Sequence, residues 1–150
     1  MKKLFIMLGI CLCLFLTGCS NEFAKNEYDS VEKIAQTQDR YAKENSVFNQ
    51  FDGGCSLNAA KFDGRQTLWS VYLNESKNID ITFDFSLSSG KAKIVHIDDE
   101  GNVTTIIENS PEVLNQHITK TVSLSNGHNR LKIVGYDCKD IDLKMLSDDF

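Results

Sequence analysis

The sequence predicts an all-β domain, an antiparallel sandwich or barrel, over residues 47–150. Apolar and polar residues alternate in several short runs, which is the pattern of strands that bury one face and expose the other to water. Turn residues separate these runs at intervals of about 8–12 residues, as in sandwiches and barrels. No strongly periodic helix lies between the strands, and this argues against a doubly wound α/β fold.

The clearest strand is the run from Ile79 to Leu87, in which every second residue is apolar and the residues between are Asp, Thr or Ser. Trp69, Val71 and Leu73 alternate in the same way. The other runs predicted as strands are 92–97, 103–107, 121–124, 130–135 and 141–145. From this alternation we expect each sheet to bury one face and leave the other wet.

Two loops have hairpin composition. Residues 98–102 read Asp-Asp-Glu-Gly-Asn, and residues 126–129 contain Asn126-Gly127, a pair suited to positive φ. The stretch 109–120 has no clear period, so Pro111 is expected to start a helical turn or to lie in a wide loop there.

Residues 19–46 are polar and free of proline and glycine, which predicts a spacer. Apolar residues such as Tyr28, Val31 and Ile34 recur at three and four, which permits an amphipathic helix capped by Ser30. Because the apolar stripe is thin, we expect a marginal helix that docks loosely.

The first eighteen residues resemble a bacterial lipoprotein signal peptide. Lys2 and Lys3 precede an apolar stretch, residues 4–16, that is too short to span a membrane. Leu16-Thr17-Gly18-Cys19 then resembles the lipobox. The resemblance implies cleavage before Cys19 and lipidation of its thiol, which would place the chain on the extracytoplasmic face of the cell membrane. The predicted organisation is a signal peptide (1–18), a lipidated cysteine with a spacer (19–46) and a β-domain (47–150).

The mature chain is predicted to be acidic. Residues 1–18 hold two lysines and no acid, so the remainder keeps 14 basic and 21 acidic side chains, a formal balance of −7. This charge disfavours nucleic acid and anionic lipid as partners.

Cys55 and Cys138 are the two thiols left in the predicted β-domain. In an exported protein they could form one disulfide, or they could be two unrelated small core residues. The sequence leaves both interpretations open, since the distance between them decides.

Residues 121–135, read as T-V-S-L-S-N-G-H-N-R-L-K-I-V-G, resemble a hairpin of jelly-roll sandwiches of the galactose-binding-like kind, common among carbohydrate-binding modules. Together with residues 64–69 and 89–95, they also resemble small lipoproteins of Gram-positive bacteria. The resemblance implies a jelly-roll β-sandwich; its motifs are structural and specify no chemistry.

Tyr72 and Tyr136 are the candidate ligand platforms, because each is placed by its strand pattern on the surface or at a strand end. Trp69 is expected to face the core. The acidic groups 98–100 and 137–142 and the three scattered histidines match no metal motif, and no cofactor motif or nucleophile elbow is present.

The sequence therefore predicts a lipid-anchored, non-catalytic binding domain of the cell envelope, with an envelope protein or a glycan as its partner. A carbohydrate-binding module is the first alternative. An envelope hydrolase without a recognisable motif is the second.

Overall fold

A computed structural model describes residues 19–112 and 116–150, so the predicted signal peptide lies outside the described residues. Two short helices come first and seven strands follow within this part of the chain. The elements are α1 (Cys19–Asp29), α2 (Val31–Ala35), β1 (Arg40–Phe51), β2 (Gly54–Leu73), β3 (Lys77–Ser86), β4 (Ser89–Ile97), β5 (Val103–Asn109), β6 (Gln116–Leu124) and β7 (Gly127–Leu146).

Two long antiparallel strands organise the fold. β2 and β7 have 20 residues each and pair from Gly54–Leu146 at one end to Leu73–Gly127 at the other. The sequence pattern suggested separate strands at 130–135 and 141–145, but both belong to β7. β7 is therefore one continuous strand that takes part in both sheets.

The halves of β2 and β7 belong to different layers. In the first layer the N-terminal half of β2 and the C-terminal half of β7 are joined by β1 at one side and by β3 and β6 at the other. In the second layer the C-terminal half of β2 and the N-terminal half of β7 are joined by β4 and β5. All these pairings are antiparallel, which confirms the predicted all-β antiparallel sandwich.

A glycine marks the point at which β2 passes between the layers. Gly64 has φ +99°, and a Cβ there would lie 2.2 Å from the carbonyl oxygen of Arg40. The β2–β7 register is irregular between Phe62 and Gly64. Only glycine fits such a close approach with positive φ, so the residue permits the bend.

The main core lies between the layers. The alternating residues of β3 (Ile79, Ile81, Phe83 and Phe85) are all buried, as predicted, and pack in one cluster with residues of β4 and β7 such as Ile94 and Ile133. Trp69 is only partly buried and packs at the margin of this cluster, so the expectation that it faces the core holds only in part.

The second layer is buried on both faces, contrary to the expectation that each sheet has one wet face. Val95, Ile97 and Val134 point away from the main core and form a second cluster with Tyr28 and Ile34 of the helices. The helices, with the residues that follow them to Asp39, form what we call the N-terminal segment (residues 19–39).

The N-terminal segment docks firmly instead of loosely. Tyr28 is 3% exposed and Ile34 is 1% exposed. The Ser30 hydroxyl caps α2 as predicted, accepting a bond from the Lys33 amide at 3.3 Å. β1 begins at Arg40, so the folded unit includes residues assigned to the spacer.

The stretch 109–120, which has no clear period, contains a turn at residues 111–112 and the start of β6 at Gln116. β6 is an edge strand paired with β3, and its residues from His117 to Leu124 alternate between a more exposed and a more buried face.

Candidate functional site

A surface cavity of about 570 Å³ lies where β4 begins, β5 ends and β7 changes layer. This volume is in the range of small-molecule sites. The described residues that line it are Gly90, Lys91, Glu108, Asn109, Ser110, Pro111, Glu112 and Tyr136. We call it the Tyr136 cavity.

Sheet register brings the two sides of the cavity together. Tyr136 of β7 lies opposite Lys91 of β4. A Cβ on Gly90 would lie 2.4 Å from the Tyr136 carbonyl oxygen and 2.3 Å from that of Asp137. Glycine at this position therefore lets β4 pass close enough for Tyr136 to line the cavity.

Tyr28 of α1 supports the charged wall of the cavity. Its hydroxyl donates a hydrogen bond to Glu108, and the ammonium groups of Lys91 and Lys93 each lie 4.4 Å from its ring centroid. Burial, followed by the bond to Glu108, raises the pKa of Tyr28, whereas burial lowers the pKa of Lys93. Tyr28 therefore remains a neutral donor and holds two charged lining residues, Glu108 and Lys91.

The lining of the cavity combines an aromatic ring with hydrogen-bonding and charged side chains. The half-buried Tyr136 offers an aromatic face, and Ser110, Glu112 and Lys91 offer donors and acceptors around it. Asn109 is buried, and its amide donates to the carbonyl oxygen of Phe85 at 2.8 Å, which fixes the end of β5.

The other predicted platform, Tyr72, is remote from this cavity. It is 64% exposed, and its neighbour is the His128 ring, with centroids 6.0 Å apart. His128 lies eight residues before Tyr136 on β7, about 26 Å of strand. The structure therefore does not combine Tyr72 and Tyr136 in one site.

A second aromatic cavity, of about 390 Å³, was missed by the sequence analysis. It is lined by Trp69, Phe51 and Phe150 together with Gln50 and Ser70. The Trp69 and Phe150 rings lie 4.5 Å apart. Phe51 is 44% exposed and ends β1, a stretch in which the sequence analysis predicted no strand.

The sequence analysis left two interpretations of Cys55 and Cys138 open, and the structure favours two unrelated core residues over a disulfide. Both are free and buried. Cys55 is paired with Met145, so it lies seven residues, about 23 Å, along β7 from Cys138. A disulfide needs Cα atoms about 4.4–6.8 Å apart, so the two thiols cannot be joined in this fold.

Burial makes both thiols weaker acids than an exposed cysteine. It raises the pKa of Cys55 to about 11 and that of Cys138 to about 12. The Cys138 thiol donates to the Lys91 carbonyl oxygen at 3.1 Å.

The carboxylates of the acidic loops accept hydrogen bonds, within the same turn for Asp98 and from other turns for Asp99 and Asp140. Asp98 accepts from the backbone of Glu100 and Asn102, and Asp99 accepts from the amide of His128. Asp140 accepts from the Ser88 hydroxyl. Among the described residues, no group of three or more His, Cys, Asp or Glu side chains is arranged to hold a metal ion.

Cys19 is the first residue of α1. Within the described part of the chain, no helix has the length and apolar character needed to cross a membrane.

No protein-family model matches the chain, and no curated protein matches it. Solved structures that resemble it include CBM35 from Paenibacillus barcinonensis, with 13% identity, a TM-score of 0.39, and coverage of 71% of this chain and 91% of that one. A CBM29-2 mutant complexed with mannohexaose has 14% identity, a TM-score of 0.40, and coverage of 75% and 82%. CBM6cm-2 from Cellvibrio mixtus lichenase 5A, in complex with cellotriose, has 14% identity, a TM-score of 0.38, and coverage of 75% and 91%. Similarity at this level assigns neither a function nor a ligand to this chain.

Proposed function

We propose that the chain is a lipid-anchored, non-catalytic domain of the cell envelope that binds a glycan in the Tyr136 cavity. Residues 1–18 are its signal peptide, and Cys19 carries the lipid on the extracytoplasmic face of the membrane. The observation that carries the glycan proposal is the placement of Tyr136 in a cavity rimmed by hydrogen-bonding side chains.

A sugar ring suits this arrangement because it has an apolar C–H face and hydroxyl groups at its edge. The Tyr136 ring can pack against the face, while the Ser110 hydroxyl, the Glu112 carboxylate and the Lys91 ammonium can bond the edge. The formal balance of −7 in the mature chain makes a neutral sugar a better ligand than a polyanion.

The three histidines are engaged away from the lining residues of the cavity, where Glu108 and Glu112 are the acidic groups. His96 is buried and bonds Asn129 at 2.8 Å, and His117 pairs with Asp84. His128 lies beside Tyr72. An acid–base site in the cavity would need groups other than these.

A glycan array tests the proposal, using residues 19–150 with Cys19→Ser so that the N-terminal segment and Tyr28 are kept. We expect saturable binding that Tyr136→Ala weakens about tenfold or more, because an aromatic contact of about 1.4 kcal/mol corresponds to tenfold in affinity. Tyr72→Ala is the matched control and should bind like the parent.

Equal binding by the Tyr136→Ala variant would refute the cavity as the site, and Phe51→Ala would then test the second aromatic cavity. Absence of binding to every glycan on the array would refute glycan binding and favour an envelope protein as the partner. Release of free sugar from a bound glycan would refute the non-catalytic assignment.

The anchor is tested separately by labelling producing cells with a radioactive fatty acid. The parent protein should incorporate the label and Cys19→Ala should not. Equal labelling of the two would refute lipidation at Cys19.

A further inference from the structure

The N-terminal segment connects Cys19 directly to the folded domain. Cys19 is the first residue of α1, and Ala24 and Tyr28 of this helix are 0% and 3% exposed. The sequence suggested a spacer over residues 19–46, which as a flexible coil would have a mean span of about 30 Å. A docked helix instead fixes both the distance and the direction from the first residue to the sheet.

Buried charges hold the segment along its length. Glu27, which is 1% exposed, pairs with Arg65, which is 2% exposed. Lys132 is fully buried, and its ammonium donates to the Gln36 carbonyl oxygen at 2.6 Å and lies 3.3 Å from Asp39. Breaking any of these pairs would leave an uncompensated buried charge, so the segment is a rigid mount.

The same helix reaches the Tyr136 cavity. Tyr28 bonds Glu108 and stacks beneath Lys91, and both residues line the cavity. Tyr28 lies nine residues after Cys19 on α1, which is about 14 Å of helix. The wall of the cavity is therefore about that far from the proposed lipidated residue.

We propose that the Tyr136 cavity is a membrane-proximal site whose ligand is the saccharide headgroup of a lipid in the same leaflet as the anchor. This inference rests on the proposed function, namely lipidation of Cys19 and glycan binding in the cavity. A rigid mount of this length confines the cavity to the layer that lipid headgroups occupy, and confinement of both partners to one surface raises their effective concentration. A weak contact between Tyr136 and a single sugar unit is then sufficient for capture.

The test uses residues 19–150 coupled through Cys19 to a maleimide lipid in phosphatidylcholine vesicles. The coupling is selective because Cys55 and Cys138 are buried and their pKa values are raised to about 11 and about 12, so they hold little reactive thiolate. The vesicles also contain galactosyl and glucosyl diacylglycerols with a fluorescent acyl chain. Slower lateral diffusion of the labelled glycolipid reports its capture.

We expect capture by the parent protein and by Tyr72→Ala, and loss of capture in Tyr136→Ala. A variant with a flexible Gly/Ser linker of about 20 residues inserted after Cys19 should capture the glycolipid on the order of tenfold more weakly, because the linker lets the cavity leave the headgroup layer. Energy transfer from Trp69 to a headgroup-labelled lipid gives a second readout that needs no sugar, and it should fall in the linker variant.

The outcomes separate the inference from the proposed function. Equal capture and equal energy transfer with and without the linker would overturn the membrane-proximal mount. Tyr136-dependent binding of soluble sugars without capture of glycolipid would overturn the inference and leave the proposed function standing. Binding of neither soluble nor membrane-borne sugar would overturn the proposed function and the inference together.

Discussion

The two layers of the sandwich differ in what covers their outer faces. On the first layer, exposed side chains of β3 and β6 form a polar ladder: the hydroxyls of Thr82 and Thr119 are 2.8 Å apart, and Thr121 donates to Asp80. On the second layer, the corresponding face is apolar and charged, and the N-terminal segment covers it.

The difference is already present in the residue pattern. β3 has apolar residues at alternate positions only, whereas β4 contains Ile94-Val95 and β7 contains Ile133-Val134, with both members of each pair buried. Consecutive buried apolar residues on one strand require cover on both faces. Strict alternation thus marks a wet layer, and adjacent apolar residues mark a layer that another element must cover.

The largest effect is expected from removing a buried charge on the covered face. Arg65→Ala should lower the free energy of unfolding by about 3–5 kcal/mol, because it leaves Glu27 buried with only Arg40, at 3.7 Å, nearby. Urea denaturation followed by circular dichroism measures the change.

Lys61→Ala is the matched control on an exposed pair. The side chains of Lys61 and Glu44 are 55% and 60% exposed, and their charged atoms lie 3.0 Å apart. The loss in the free energy of unfolding should therefore be under about 1 kcal/mol. If the two variants lose similar free energies, the charges of the second layer are not buried as described.

A smaller effect is expected from the apolar part of the cover. Ile34→Ala should cost about 2–4 kcal/mol, because Ile34 is 1% exposed and packs on the sheet. Val31→Ala on the same helix, where the side chain is 59% exposed, should cost about 0.5 kcal/mol or less. Equal, small losses at both positions would mean that α2 does not dock.

The smallest effect concerns the thiols in the core shared by both layers. Their pKa values are raised from 9.0 to about 11 for Cys55 and about 12 for Cys138. The unfolded chain therefore releases its thiol protons first, so the free energy of unfolding is unaffected well below pH 9 and falls as the pH rises above it. At about pH 10 each thiol should account for a loss of about 1.4 kcal/mol.

Cys138→Ala isolates the contribution of the Cys138 thiol to the pH dependence of stability. Burial lowers the pKa of lysines such as Lys132, but these lysines titrate in the parent and in the variant alike, so their contribution cancels in the comparison. The variant should lose less stability than the parent between about pH 8 and pH 10 in urea titrations. Parallel pH profiles would contradict the burial of Cys138.

The strands of the sandwich were predictable because their signals are local. Alternation located β3, and the Asp-rich turn located the β4–β5 hairpin. The prediction of a hairpin at Asn126-Gly127 was wrong: the turn joins β6 to β7, but β6 pairs with β3 and β7 pairs with β2, β3 and β4. Docking of the N-terminal segment was not predictable in the same way, since it depends on Glu27 meeting Arg65, and no local pattern links residues that far apart. The length of β2 and β7 was hidden because the alternation is interrupted where the strands bend: the β2–β7 register is irregular between Phe62 and Gly64, and Asp137 and Asp140 of β7 have positive φ.

The candidate site was predictable only in part. Tyr136 was a predicted platform, and the structure places it in a cavity, but the other wall comes from residues 108–112 and from Lys91. Their approach depends on the pairing of Lys91 with Tyr136 across β4 and β7. The sequence pattern predicted Tyr72 as a platform equally well. Only the three-dimensional arrangement shows that Tyr136 lines a cavity with these residues and Tyr72 does not.

The pairing of β2 with β7 also sets the order in which the protein can fold. Gly54 pairs with Leu146, and both layers contain part of β7 at their centre. Neither layer can be completed until the last strand has been synthesised, and contacts so distant in sequence form slowly. Completion of both layers therefore requires the chain as far as Leu146.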